Sequence, residues 1–217
     1  MILAITGHRP HKLGGYIIPN PVANAVMLKL VDSLEVLKPE VVLSGMALGV
    51  DQWTAQICVE MQIPFDAVIA FDGYEGKWPQ QSQKWYRHLL TKARQVHMLH
   101  PGPYSPSLLH QRNYWLVDHC DALLAVWDGK PGSGTAACVQ YAQFKNPPKP
   151  AYRLDLHPDI WAMAQVEENT LKDTKEERAR WNARFVPAPQ VREVKPKPQD
   201  PGTLKFNRFI EVGEEEP

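Results

Sequence analysis

The chain has 217 residues, of which 44% are hydrophobic and 22% charged, and its formal net charge is zero. This composition predicts one globular domain with an appendage, or two small domains. The charge is balanced along the chain, with 14 basic and 12 acidic residues up to Asp155 and 10 and 12 beyond it. Neither part has the basic excess that is typical of a general nucleic-acid-binding protein.

Strands and helices alternate along the first 156 residues. Continuous apolar runs predict six strands, over residues 2–6, from 41 onward, 65–71, 95–99, 122–127 and 149–156. Apolar residues at helical spacing predict helices over residues 21–37, 51–61, 80–93, 107–119 and 135–144. Strands without polar alternation are typical of a parallel sheet that is covered on both faces. The sequence therefore predicts an α/β fold.

Beyond Leu156 the composition changes. We predict a domain over residues 1–156, a helical extension over 157–185 with a charged helix from 161, and a proline-rich, mostly disordered tail over 186–217. The short segment 204–210 has two interpretations: a strand or peptide that docks onto another surface, or part of a solvated tail. The second is favoured.

The spacing of the cysteines and the lengths of the apolar runs indicate whether metal sites, disulfides or membrane spans are expected. Cys58, Cys120 and Cys138 are far apart and form no CxxC pair, so we expect small buried side chains rather than a zinc site or disulfide. The apolar start of the chain is too short for a signal peptide, and no stretch approaches the roughly 20 apolar residues of a membrane span. We therefore expect a cytoplasmic protein without a membrane partner.

Three loops are candidates for a ligand site. Ligands of open parallel sheets bind at the carboxyl ends of the strands, and the loops after the first, second and fifth strands are long, polar and glycine-bearing. Residues 44–49 place small residues before a helix N-terminus, which is an arrangement that binds phosphate, although the same stretch could be a plain βα turn. Residues 132–135 repeat this arrangement, with Thr135 as an alternative helix N-cap. Two such loops predict a ligand with phosphate, or phosphate and sugar, lying across both.

Charged side chains near these loops have two interpretations each. Arg9 pairs a phosphate bidentately or faces solvent, and Arg112, beside Asn113, faces the same rim or pairs with a surface carboxylate. Asp51 binds a ribose hydroxyl or complements the helix dipole. Asp128 directly follows the fifth strand and is the better candidate for ribose.

Other chemistries are less well supported. Trp78 and Trp127 could stack on a base, although tryptophans in this composition usually belong to the core. The histidines lack metal-ligand spacing, so no metal site is expected. The chain has no G-x-S-x-G elbow and no placeable Cys–His pair, so nucleophilic catalysis is not indicated.

Several motifs resemble the SLOG superfamily, which joins DprA, the LOG phosphoribohydrolases and the YpsA-like proteins. The run Ser44-Gly45-Met46-Ala47-Leu48-Gly49-Val50-Asp51 resembles the "SGxAxGxD" signature of DprA and YpsA. Thr6-Gly7-His8-Arg9-Pro10 resembles the "TGHRP" opening of YpsA-like members, and Arg112-Asn113 and residues 126–135 also follow their pattern. The resemblance covers residues 1–156 and is closest to stand-alone YpsA-like members of bacteria and phages.

The resemblance implies a Rossmann-like parallel sheet flanked by helices that binds a nucleotide-type small molecule, for example an ADP-ribose-like or cyclic signalling nucleotide. It implies no required cofactor beyond that ligand and permits a homo-oligomer. The ligand-binding residues expected from the motifs and loops together are Gly7, His8, Arg9, Ser44, Gly45, Met46, Ala47, Gly49, Asp51, Arg112, Asn113, Asp128, Gly132, Ser133, Gly134 and Thr135.

Two further functions stay open from the resemblance. LOG enzymes cleave the base–ribose bond of a nucleoside monophosphate with a glutamate in "GGxGTxxE", whereas Ala136, Ala137 and Cys138 follow Thr135 here. An N-glycosidase would need a displaced carboxylate, Asp128 or Glu75, to stabilise its transition state. DprA binds single-stranded DNA with a basic surface, and the near-neutral charge of this chain disfavours that role.

Overall fold

The computed structural model describes residues 1–154, 156–170 and 209–211. Its strands are β1 (Ile2–Gly7), β2 (Val41–Ser44), β3 (Phe65–Ile69), β4 (Gln95–Met98), β5 (Ala122–Val126), β6 (Ala151–Leu154) and β7 (Phe209–Glu211). Its helices are α1 (Pro21–Leu37), α2 (Val50–Glu60), α3 (Gln80–Leu90), α4 (Pro106–Asp118), α5 (Gly134–Phe144) and α6 (Pro158–Thr170), with a short 3-10 helix at Pro10–Lys12.

The strands form one sheet in the order β4-β3-β2-β1-β5-β6-β7. The first six are parallel, and β7 pairs antiparallel to β6. β1 lies between β2 and β5, so successive strands run outward from β1 on one side and then on the other. Such a reversal of strand order opens a crevice at the carboxyl ends of the two strands involved. The predicted Rossmann-like α/β fold is confirmed.

Helices cover both faces of the sheet. Buried side chains of α1, α2, α3 and α6 form one apolar core with Leu3 and Ile5 of β1. Buried side chains of α4 and α5 form a second core with Ala4, which points to the opposite face. Every residue of β2, β3 and β5 is buried, as expected for inner strands covered on both faces, whereas β4 at the sheet edge is largely exposed.

Local sequence signals determine where most elements begin and end. The side chain of Asn20 accepts a hydrogen bond from the backbone N of Ala23, Pro21 opens α1, and Lys38 ends it in the left-handed region at φ 44°, so α1 has its predicted bounds. The other predicted elements differ from the observed ones by up to three residues at an end. The start of α5 moves to Gly134 because Ser133 caps it.

The C-terminal predictions are only partly covered by the structure. Helix α6 begins at Pro158, three residues before the predicted start, and is described to Thr170; the remainder of the predicted helix lies outside the described residues. Phe209–Glu211 form β7 along β6, which departs from the disorder expected for 186–217 and matches the docked-strand alternative. The rest of the predicted tail lies outside the described residues.

The part of the chain that the structure describes shows no helix fit to span a membrane and no metal-binding group of side chains. None of its helices combines the length and the apolar character needed to cross a bilayer. Within the same residues, no three His, Cys, Asp or Glu side chains come together as a metal-binding group. Cys58, Cys120 and Cys138 are all free thiols in the two cores, which confirms their predicted burial.

Candidate functional site

A cavity of about 340 Å³ opens at the carboxyl ends of β1 and β5, where the strand order reverses. Its walls are the end of β1 with the loop and 3-10 helix that follow, the middle of α4, and the loop from β5 into α5. Eleven of the sixteen predicted ligand-binding residues line it: Gly7, His8, Arg9, Ala47, Asp51, Arg112, Asn113, Gly132, Ser133, Gly134 and Thr135. The three predicted loops therefore do meet on one rim.

The N-terminus of α5 offers backbone donors to this cavity. The Ser133 side chain caps the helix by accepting from the backbone N of Ala136 at 3.0 Å. Thr135, predicted as a possible cap, is instead the second helical residue. The N–H groups of Gly134 and Thr135 open the helix, so they have no intrahelical acceptor and lie at the positive end of its dipole. This wall of the cavity is therefore suited to an anion.

Arg112 projects into the cavity from the middle of α4. It is 5% exposed, and its Nη1 donates to Asp51 Oδ2 at 3.3 Å. Its Nε has no hydrogen-bond partner among the described residues. Both alternatives predicted for Arg112 are thus partly realised, because it faces the rim and also pairs with a carboxylate, although that carboxylate is buried rather than on the surface.

Gly45 makes room for this arginine. A Cβ atom on Gly45 would lie 1.5 Å from Arg112 Nη1 and 2.3 Å from Cζ. Only a glycine therefore permits the guanidinium to lie against the backbone of this loop. The small residue at position 45 therefore serves the packing of an internal cation.

The loop 44–49 binds a carboxylate of its own chain. Asp51 Oδ2 accepts a hydrogen bond from the backbone N of Ala47 at 3.2 Å. The Ser44 hydroxyl donates to the backbone carbonyl oxygen of Asp51 at 2.9 Å, which ties the loop to the start of α2. Ser44, Gly45, Met46 and Gly49 do not line the cavity, so this loop presents only Ala47 and Asp51 to it. The expected phosphate cradle at 44–49 is therefore filled by Asp51.

Two further glycines bring the first and second loops together. A Cβ on Gly7 would lie 2.5 Å from Val50 Cβ, and one on Gly49, at φ 96°, would lie 2.8 Å from the carbonyl oxygen of His8. The N-terminus of α2 is thereby packed against the end of β1. The close approach that these glycines permit is between segments of this chain.

Asp51 lies between two arginines. Burial raises the pKa of Asp51, and the nearby Arg112 and Arg9 oppose that shift. Arg9 lines the cavity and its Nη2 donates to the Tyr74 hydroxyl at 3.2 Å. Burial acts to lower the pKa of Arg9, but the neighbouring Tyr74 and Asp51 raise this pKa by more. The guanidinium therefore stays charged. Arg9 is therefore held in place rather than free in solvent.

Asp128 does not line the cavity, contrary to its predicted position as a ribose ligand. Its Oδ1 lies 3.0 Å from Nε2 of His8 and accepts from the backbone N of Lys130 at 3.1 Å. Burial opposes the charge of Asp128, but these hydrogen bonds lower its pKa overall. Asp128 holds the imidazole of His8, which is the residue of the pair that faces the cavity.

His8 is 3% exposed, and burial lowers its pKa although Asp128 works in the opposite direction. The unfolded chain therefore takes up a proton near the ordinary histidine pKa of about 6.5, whereas the folded chain does so only at lower pH. We expect the contribution of neutral His8 to the free energy of unfolding to be fully present above about pH 6.5. This contribution should be lost as the pH falls through the folded-state pKa of His8.

Urea unfolding at about pH 7.5 and about pH 5.5 measures this effect, because the two conditions lie on either side of the ordinary histidine range. His8→Gln removes the titrating group while keeping a side chain that can hydrogen-bond to Asp128. The parent should lose more stability between the two conditions than the variant does. Equal losses would show that the protonation of His8 is not linked to folding.

The remaining candidates lie away from the cavity. Trp78 packs at 5.0 Å from Tyr74 and 5.3 Å from Tyr86, and Trp127 donates from Nε1 to the Lys130 carbonyl at 2.8 Å. Neither lines the cavity, so the structure does not place them as base-stacking residues. Glu75 also lies outside the cavity lining and pairs with Arg87 at 3.1 Å.

Sequence reasoning missed two polar residues of the site. His11 and Lys12, on the 3-10 helix, line the cavity beside Arg9. The signal was available, because both follow the same strand end as His8 and Arg9. The motif that begins at Thr6 ends at Pro10, however, and does not include them.

Comparisons with known proteins identify the family and the fold. The model of the family described as the YspA SLOG family matches residues 3–156. A UPF0398 protein of Bacillus cereus is 32% identical over 143 residues, covering 61% of this chain and 77% of that protein. The SPbeta prophage-derived protein YoqJ of Bacillus subtilis is 30% identical over 161 residues, covering 63% of this chain and 92% of that protein.

Two solved structures share the fold at 17% identity. DNA processing protein A (DprA) of Streptococcus pneumoniae superposes with a TM-score of 0.53 over 77% of this chain and 56% of its own, so this chain spans little more than half of that protein. DprA of Helicobacter pylori, a structure described for its single-stranded DNA binding mode, superposes with a TM-score of 0.52 over 80% of this chain and 81% of its own. At this identity the likeness shows the fold alone.

Proposed function

The chain belongs to the YspA SLOG family, and from that membership together with the geometry of the cavity we propose that it binds a phosphorylated, nucleotide-type small molecule at the carboxyl ends of β1 and β5. The cavity of about 340 Å³ lies within the range of small-molecule sites. The proposal assigns no further cofactor.

The proposal rests on the buried, incompletely hydrogen-bonded guanidinium of Arg112. A buried guanidinium N–H without a partner is costly, and native proteins rarely leave one unless a ligand or water completes it. Arg112 Nε is such a group, and Arg112 lines the same cavity as the N-terminus of α5. A phosphate at the N-terminus of α5 would accept from the N–H groups of Gly134 and Thr135, and the neighbouring Arg112 guanidinium would add positive charge.

The other lining residues suit the rest of a nucleotide. Arg9 and Lys12 add positive charge on the wall opposite α4, where a second phosphate group or the same phosphate would be attracted. The Asn113 side chain, which donates from Nδ2 to the Gly134 carbonyl at 3.3 Å, keeps its amide oxygen for a sugar hydroxyl. Candidate ligands include nucleoside monophosphates, ADP-ribose-like molecules and cyclic nucleotides.

Binding is favoured over N-glycoside cleavage because no carboxylate among the described residues that line the cavity is free for catalysis. Asp51 is the carboxylate that lines it, and Asp51 is bound to Arg112 and Ala47. Asp128 and Glu75 lie outside the lining. At the position of the LOG glutamate stands Cys138, whose pKa is raised by burial to about 12, so the thiol is neutral and cannot act as a base.

The first experiment is to purify the protein gently, denature it, and identify any released small molecule by mass spectrometry. A thermal-shift screen of nucleotides, NAD derivatives and a single-stranded oligonucleotide runs alongside. A phosphorylated ligand that raises the melting temperature by linkage supports the proposal. Release of free base from that ligand would favour the N-glycosidase, and stabilisation by the oligonucleotide alone would favour a DprA-like role in DNA transactions.

Arg9→Ala should weaken binding of the nucleotide that stabilises the protein by about 1–3 kcal/mol, which is the range for a hydrogen bond to a charged group. This loss amounts to an increase in Kd of about 5- to 150-fold. Isothermal titration calorimetry measures the change. Arg87→Ala is the matched control, because Arg87 is 62% exposed in its pair with Glu75 and does not line the cavity. Equal affinities for the two variants would remove Arg9 from the site.

A further inference from the structure

Helix α6 supports one wall of the cavity from behind. It packs against α1 and against the 3-10 helix Pro10–Lys12, which carries His11 and Lys12 of the lining. Ala164 of α6 is 3% exposed, and Ile160 and Trp161 are partly buried against the first core. The helix begins at Pro158, beyond residue 156, where the family match ends.

Trp161 makes the direct contact with the site. Its ring meets the imidazole of His8 edge to face, with the centroids 6.1 Å apart and the planes at 84°. On another side, Oδ1 of Asp128 lies 3.0 Å from Nε2 of His8. His8 lines the cavity, whereas Trp161 does not, so the tryptophan acts on the site only through its neighbours.

We propose that α6, through Trp161, positions His8 and the 3-10 helix in the geometry that binds ligand, so that the family-matched segment alone does not complete its own binding site. What this wall binds rests on the proposed function. The positioning itself rests on the contacts of α6. Trp161 is therefore a positioning residue that a ligand does not touch.

The physical basis is the burial that α6 provides. Without the indole ring, the His8 imidazole would gain solvent on one side and would no longer be confined between Asp128 and an aromatic neighbour. The two backbone hydrogen bonds of the 3-10 helix, Lys12 N to Arg9 O and Leu13 N to Pro10 O, belong to a single short turn. Such turns open readily when packing on one side is removed.

The test uses the full chain with Trp161→Ala, Trp161→Phe and Met163→Ala. Met163 lies on the same helix but is 40% exposed, so its replacement controls for general effects on α6. Three quantities are measured well below the melting temperature: the His8 pKa by NMR, with His8→Gln for assignment; hydrogen exchange of the Lys12 and Leu13 amides; and the affinity for adenosine monophosphate.

Trp161→Ala should raise the His8 pKa toward the ordinary value, speed exchange of both amides and weaken binding about three- to tenfold. Trp161→Phe should restore most of each property, and Met163→Ala should change none. If Trp161→Ala lowers only the melting temperature and leaves the His8 pKa and the two amides unchanged, the inference is overturned. If these change while the parent protein binds no phosphorylated ligand, the positioning holds and the proposed function fails.

Discussion

Gly134→Asp should abolish nucleotide binding while leaving the fold at least as stable. Gly134 is the first residue of α5, and a carboxylate there complements the helix dipole by about 0.3–1 kcal/mol. The same carboxylate would meet the ligand phosphate with a repulsion of up to about 4 kcal/mol at an effective dielectric constant near 20. We therefore expect affinity to fall by up to about 1000-fold, since each 1.4 kcal/mol is tenfold.

Calorimetric titration and urea unfolding measure the two effects on the same samples. Gly134→Asn has nearly the same volume without the charge, so its loss of affinity should be much smaller. Ser107→Asp introduces the same charge in the first turn of α4 at an exposed position outside the cavity lining, and it should bind as the parent does. If the Gly134→Asp variant binds the ligand as tightly as the Gly134→Asn variant does, the ligand does not contact the start of α5.

Gly45→Ala should lower the free energy of unfolding and also impair ligand binding at the site. The added Cβ would occupy the position of Arg112 Nη1, which would have to move away from Asp51 Oδ2. Breaking a buried ion pair typically costs about 3–5 kcal/mol, because one charge is left without its partner. Arg112 also lines the cavity, so we expect its displacement to change the shape of the site.

A double-mutant cycle separates this clash from a general intolerance of alanine at residue 45. In an Arg112→Met background the guanidinium is absent, so Gly45→Ala should cost much less there than in the parent. Urea unfolding of the four proteins gives the coupling free energy. Additive costs would show that Gly45 is required for some reason other than Arg112.

The fold was predictable because its signals are local. Asn20, Pro21 and Pro39 bracket α1, and apolar runs identify the buried strands without knowledge of their partners. Chain order placed the loops after β1, β2 and β5 on one rim, and eleven of the sixteen predicted residues line the cavity there. These inferences need only periodicity, capping and the geometry of parallel sheets.

The internal pairing of the site was not predictable in the same way. Asp51 and Arg112 are 61 residues apart in the chain, and His8 and Asp128 are 120 apart. The types of these residues fit a ligand site and an internal ion pair equally well, and only the tertiary structure decides between the two. The glycines of the "SGxAxGxD" run show the same limit, because the sequence does not reveal that Gly45 makes room for Arg112 and Gly49 for the carbonyl oxygen of His8.

The carboxylate of Asp51 has a consequence for the protein at rest. Arg9 and Arg112 both line the cavity, and the nearby Asp51 side chain offsets the repulsion between their positive charges. A ligand that binds as we propose would have to share Arg112 with Asp51. Such competition would weaken its binding and favour exchange of the ligand over its retention.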